Sequence, residues 1–153
     1  MKRCPVCDSD LVWIGHNSKP RSYEQHKRYF KMVDLAFDHW PAKHKRQFSD
    51  AEECRKFLQM KAGWFLEASR MPVMGMRAET AVVFAEAMFK AAGSFAIAMQ
   101  QGDDIVVWKP KSIKYEKLSH TRACELFEKV NWIIRDEIGV SGDELLERQK
   151  EVA

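Results

Sequence analysis

Between Ala78 and Ala92 the chain offers almost nothing to water. The segment is alanine-rich, spreads Val82, Val83, Phe84, Met88 and Phe89 around its circumference, and is relieved mainly by Glu79, Glu86 and Lys90. A helix that is apolar nearly all round is either buried or part of an interface. The rest of the fold must therefore supply cover for it. A chain of 153 residues has a modest interior, and the apolar stripes of two other helices already claim much of it. Part of this surface is expected to be shared between two copies of the chain, two-fold closure being the commonest arrangement. Val82, Val83, Phe84, Met88 and Phe89 are the expected dimer or partner residues. Met71, Met74 and Met76 lie close by in sequence, and methionine suits adaptable contact surfaces. The alternative is a central helix wrapped on all sides within one chain.

The other helices announce themselves by caps and periodicity. Ser22 and Gln25 have capping-box spacing, and His26, Phe30, Val33, Phe37 and Trp40 follow at steps of three and four until Pro41 ends the pattern. Ser49 with Glu52 opens a second helix whose apolar side is Phe57, Leu58 and Trp64–Phe65. The stretch from Arg70 to Arg77 breaks the pattern at Pro72 and Gly75. Ser119 caps a long helix with Ala123, Phe127, Val130, Ile134 and Ile138 on one side, stopped by Gly139, and Ser141 with Glu144 starts a short polar one. Trp132 falls roughly opposite that stripe, which makes it a candidate interface anchor. Strand signals are fewer. Phe95–Met99 and Ile105–Trp108 flank Gln-Gln-Gly-Asp-Asp and read as a β-hairpin, with Ser112–Tyr115 as a third short strand. The fold expected is a helix-dominated α+β single domain over 1–153: a CxxC segment over 1–20, then a helical core over 21–153 with a small antiparallel hairpin or sheet near 95–115.

No apolar run approaches the roughly 20 residues that span a bilayer, and Met1–Asp10 has no apolar signal region. Cytoplasmic location with reduced thiols is the expectation, since Cys54 and Cys124 stand apart and four cysteines are too few for a disulfide framework. Cys4-Pro5-Val6-Cys7 has the turn and spacing of half a zinc knuckle. His16 is the nearest candidate third ligand, and Asp8, Asp10 or a later histidine could complete four. The alternative is a pair of surface thiols.

Charge is unevenly spread. Lys19 to Arg46 holds eight basic and three acidic residues, whereas Ser119 to the end holds five basic and eight acidic. Arg21, Lys27, Arg28, Lys31, Lys43, Lys45 and Arg46, interleaved with Tyr23, Tyr29, Phe30, Phe37 and Trp40, form a candidate nucleic-acid surface: cations for phosphates, rings for bases. Trp108 with Lys111 and Lys114 is a second basic-aromatic group, for which edge-strand lysines are the plainer account. No GxSxG, P-loop, GxGxxG or HExxH occurs, so a catalytic role is not expected.

Three blocks resemble a known family. The run Arg21 to Phe30 leading into the helix through Trp40, the helix at Cys54–Phe57 followed by Gly63-Trp64-Phe65, and Pro110–Leu118 before the closing helix are similar to a phage and prophage family of unknown function. That family is itself distantly similar to the NinB (Orf) recombination proteins of lambdoid phages. The CxxC front and the Ala78–Ala92 helix depart from its pattern. The resemblance implies a phage-encoded accessory protein that binds nucleic acid or a nucleoprotein complex. The alternative role is a homodimeric protein-binding inhibitor of a host defence complex, of the anti-CRISPR type.

Overall fold

The computed structural model describes residues 23–73, 75–114 and 118–152. Among them are five helices and a three-stranded antiparallel sheet, so the α+β class and the helical majority hold. The elements run α1 (Tyr23–Asp38), α2 (Ala51–Lys61), β1 (Phe65–Pro72), α3 (Ala78–Ala91), β2 (Ile97–Gln101), β3 (Asp104–Pro110), α4 (His120–Ile138) and α5 (Gly142–Val152). They form two compact units. Residues 63–111 make one, and the chain on either side of them makes the other.

The flanking unit packs α1, α2, α4 and α5 together. Ser119 caps α4 as expected, its hydroxyl accepting from the Arg122 amide at 3.4 Å, and Gly139 closes it in the left-handed conformation. Ser141 likewise accepts from the Glu144 amide at 3.2 Å at the start of α5. The cap of α2 lies one residue later than the sequence suggested. Asp50, not Ser49, accepts from the Glu53 amide at 2.9 Å, while Glu53 reaches back to the Ser49 amide, also at 2.9 Å. Ser-Asp-Ala-Glu-Glu offers two overlapping capping boxes, and the acid takes the cap.

The buried face of α1 is rotated from the expected stripe. Tyr29, Met32, Val33 and Ala36 face the core, whereas His26, Phe30, Phe37 and Trp40 are only half-buried. Tyr29 stacks on Phe127 of α4 at 3.9 Å between ring centres. The larger aromatic rings suggested the wrong edge of the helix, because Ala36 and Met32 permit the close approach that Phe30 and Phe37 would block. Close approach also explains Gly142. A Cβ there would run into the side chain of Met32 and stand 3.0 Å from Asn131 Oδ1. Gly142→Ala is expected to cost about 2 kcal/mol, or roughly 5 °C in melting temperature, by calorimetry.

In the unit of residues 63–111 the sheet order is β1-β3-β2. The hairpin forms where Gln-Gln-Gly-Asp-Asp placed it: Gln101 pairs with Asp104 around a two-residue loop in which Gly102 takes φ +61°. The third strand is not where it was expected. Residues 112–114 lie outside the sheet, and β1 supplies the strand from a stretch read as the end of a helix and a pattern break. An irregularity between Glu67 and Ser69 interrupts its register with β3 and hides the alternation. Pro72 is tolerated because β1 is an edge strand. α3 packs on one side of the sheet, where Ala85, Ala96, Ala98, Ile105 and Val107 make a small core joined by Val82 and Phe89.

Candidate interaction surfaces

The face of α3 turned away from that core is apolar and open. Val83 is 68% exposed, Phe84 57% and Met88 56%, values that belong to surface residues and not to a wrapped central helix. With Thr80, Ala87 and Ala91 they recur at helical spacing over three turns. Glu79, Glu86 and Lys90 follow a separate flank, so no charge interrupts the stripe. Glu86 is engaged there, accepting from the Ala98 amide at 2.9 Å. Of the residues expected at an interface, Val83, Phe84 and Met88 thus face outward. Val82 and Phe89 are spent on packing within the chain. Phe65, Leu66, Met71, Met76 and Met99 of the same unit are also exposed, which concentrates the large exposed hydrophobics of the described residues in 63–111. Trp132 belongs to the other unit. It is half exposed, its Nε1 donates to Glu128 at 2.9 Å, and the Arg135 guanidinium stands 5.7 Å from the ring centre.

The basic residues of the front half divide into two kinds. Arg28 is bonded to Asp143, and Arg46 lies 5.7 Å over the Phe57 ring with its carbonyl accepting from Trp40 Nε1 at 2.9 Å. Lys27, Lys31, Lys43 and Lys45 are exposed, and no described carboxylate pairs with them. Lys43 and Lys45 sit on a loop that is held in place: Trp40 stacks edge-on against Phe48 at 5.0 Å and Phe57 at 6.0 Å. The rings expected to stack on bases are otherwise engaged, Tyr29 in the core and Phe30 against His26 at 4.6 Å. Only Tyr23 stands well exposed, with Lys27 Nζ 4.4 Å from its ring centre. Trp108 packs against Phe65 at 5.2 Å, Lys111 stands 5.0 Å over Trp64, and Lys114 is exposed beyond the sheet. Trp108 and Lys111 belong to the sheet unit and Lys114 to the helical one.

Cys4, Cys7, His16 and Arg21 lie outside the described residues, as do Met74, Tyr115 and Lys117. Among the described residues no group of three potential metal ligands occurs, and no helix is long and apolar enough to cross a membrane.

One cluster went unnoticed in the sequence. His120 and Cys124, both buried, meet on the first turns of α4 with Nε2 and Sγ 3.3 Å apart. Gln25 of α1 reaches the same sulfur, its Nε2 donating at 3.1 Å. Cys124 and Gln25 line a cleft of about 80 Å³ with Arg28, Asn131 and Asp143, room for a few waters and far below the several hundred Å³ of a cofactor pocket. The i, i+4 spacing of histidine and cysteine was visible; Gln25, 99 positions away, was not. Cys54 differs in kind. It is fully buried on α2, and burial pushes its thiol up to about 12, the signature of an inert structural cysteine.

No protein-family model matches the chain, and neither the curated proteins nor the solved structures contain a significant match to it.

Proposed function

We propose that the chain is a non-enzymatic binding protein that works as a homodimer through the outward face of α3. The charge-free stripe of Thr80, Val83, Phe84, Ala87, Met88 and Ala91 carries this reading. A second copy is the occupant that fits it. Laid antiparallel about a two-fold axis near Ala85–Glu86, the helix sets Phe84 against Ala87, Val83 against Met88 and Thr80 against Ala91, so the bulkiest ring meets a small side chain. The exposed parts of three large side chains fall short of the roughly 800 Å² per partner of a standard interface. The alanines and neighbouring exposed residues such as Met76 must therefore take part. Of the two roles raised by the sequence, the protein-binding one, as in inhibitors that dock on host defence complexes, is the better supported. Light scattering coupled to size exclusion should give twice the 17.8 kDa chain mass at micromolar concentration. A mass of one chain across a wide concentration range would sink the reading.

A specific observation favours a second one. The four exposed lysines Lys27, Lys31, Lys43 and Lys45 are available to phosphates, on a helix and a loop that are both held in place. If they bind nucleic acid, retention of single- or double-stranded DNA falls steeply with salt, and Lys27→Glu with Lys31→Glu abolishes it while helical content is kept. A wild-type protein that retains no DNA at low salt leaves those lysines as a solvated face.

A further inference from the structure

We infer that Cys124 is a site of oxidation by small peroxides, with His120 as its base and Gln25 as the donor that steadies the sulfur. Three observations converge on that atom. First, His120 Nε2 stands 3.3 Å from Sγ across one turn of α4, within reach for an imidazole to take a thiol proton. Second, Gln25 Nε2 donates to the same sulfur at 3.1 Å, and Gln25 Oε1 lies 3.5 Å from it. Both protonation states are thereby provided for. The thiol donates to Gln25 Oε1 or to His120, and the thiolate receives from the Gln25 amide and from the imidazolium it has charged. Third, Cys124 is only 5% exposed, yet it lines the cleft of about 80 Å³ together with Arg28, Glu128 and Asp143, all of them exposed. Those charged groups are engaged elsewhere: Arg28 with Asp143, Asp143 also with Asn131 at 3.2 Å, and Glu128 with Trp132 at 2.9 Å. Cys54 has the opposite setting, fully buried on α2 with its thiol pushed up to about 12.

The size of the cleft sets the class of reagent. Space for a few waters admits hydrogen peroxide and excludes a bulky hydroperoxide or a disulfide such as oxidised glutathione. The step balances without a further reactant. The thiol proton passes to His120 Nε2, which is the lone-pair nitrogen when the neutral ring carries its proton on Nδ1. The thiolate then attacks one peroxide oxygen; the S–O bond forms and the O–O bond breaks. The departing hydroxide takes the proton from His120 Nε2 and leaves as water. Sulfur has lost two electrons to become a sulfenic acid, and the peroxide has gained them. The thiol belongs to the helical unit and the α3 face to the sheet unit, so oxidation and dimerisation can fail separately.

The test is a pulse of hydrogen peroxide on the full reduced chain, stopped by unfolding it in dimedone, with the labelled cysteine located by peptide mass spectrometry. The reference is the same chain unfolded in urea at the same pH. Burial alone slows a thiol, whereas a base and a donor on the sulfur speed it. Cys124 should therefore be oxidised about tenfold faster or more in the folded chain than in the unfolded one, and Cys54 slower. His120→Ala and Gln25→Glu, the latter setting a carboxylate beside the sulfur at unchanged size, should each remove that acceleration and leave the rate in urea as it was. Cumene hydroperoxide, too large for the cleft, should show no acceleration at Cys124. A folded wild-type chain whose Cys124 reacts no faster than in urea overturns the site, and this comparison needs no variant to fold. Folded His120→Ala that keeps the wild-type rate overturns it too, as does equal acceleration with the bulky hydroperoxide.

Discussion

Phe84→Glu is expected to convert a micromolar dimer into a monomer while leaving the fold intact. Phe84 is more than half exposed in the single chain, so a carboxylate there meets water and costs the monomer little. In the dimer the same carboxylate would sit against Ala87 of the second copy with no cation to meet it. An interface anchor is worth about 2 kcal/mol or more, and two-fold symmetry counts the loss twice. A total near 4 kcal/mol corresponds to a roughly thousandfold rise in Kd. Val82→Glu is the control with the opposite signature. Its side chain packs toward Ala85, Ile105 and Val107, so the charge should lower thermal stability instead of changing mass alone. Sedimentation across a hundredfold dilution series, read beside melting curves, separates the two. If both variants behave alike, the outward and inward faces of α3 do not have the separate roles assigned to them.

The second large effect concerns Glu137, near the end of α4. Its carboxylate, 9% exposed, receives Lys61 from the last turn of α2 and His44 Nε2 from the α1–α2 loop. Burial pushes its pKa up, but the hydrogen bonds from Lys61 and then His44 outweigh burial, and the carboxyl is held below its ordinary value. Glu137→Gln should therefore cost about 2 kcal/mol at pH 7, since the Lys61 ammonium and the His44 Nε2 lose a buried anion. The pH dependence has a definite sign. A carboxyl whose folded pKa is depressed contributes its full stabilisation above the unfolded value of about 4.3, and loses it as pH falls through the folded value. Urea midpoints measured from pH 7 to pH 3 should show the gap between wild type and variant narrowing only below about pH 4.5. A gap that stays constant over the whole range would remove the ion pair as its source.

What could be read from the sequence followed from local chemistry. The boundaries of α4 rest on Ser119 and Gly139, and the start of α5 on Ser141; each is a backbone requirement met by one side chain, which a single sequence records. The hairpin at Gly102 is of the same kind. The misses lie where a distant partner decides. The facing of α1 depends on which of its residues Gly142 and Phe127 allow inward, and nothing near Met32 or Tyr29 reveals that. β1 pairs with β3 across more than thirty residues and carries an irregular register, so neither its length nor its alternation stood out. The apolar length of α3 was plain, but not which half of its circumference the sheet would cover. The residues around Cys124 in sequence say nothing of Gln25 beside it, a contact the fold alone creates.

Trp64 and Lys111 are joined across the base of the sheet by a 3.2 Å hydrogen bond from the Lys111 amide to the Trp64 carbonyl. Everything between them leaves the helical unit and returns through one narrow stem. Once β1 and β3 have zipped, a connection of about fifty residues behaves as one of only a few, which by the logarithmic dependence of loop closure spares α2 and α4 about 2.5 kcal/mol in finding each other. The segment of residues 63–111 is in this sense a splint: with its two ends tied, it shortens the search of the helices on either side of it.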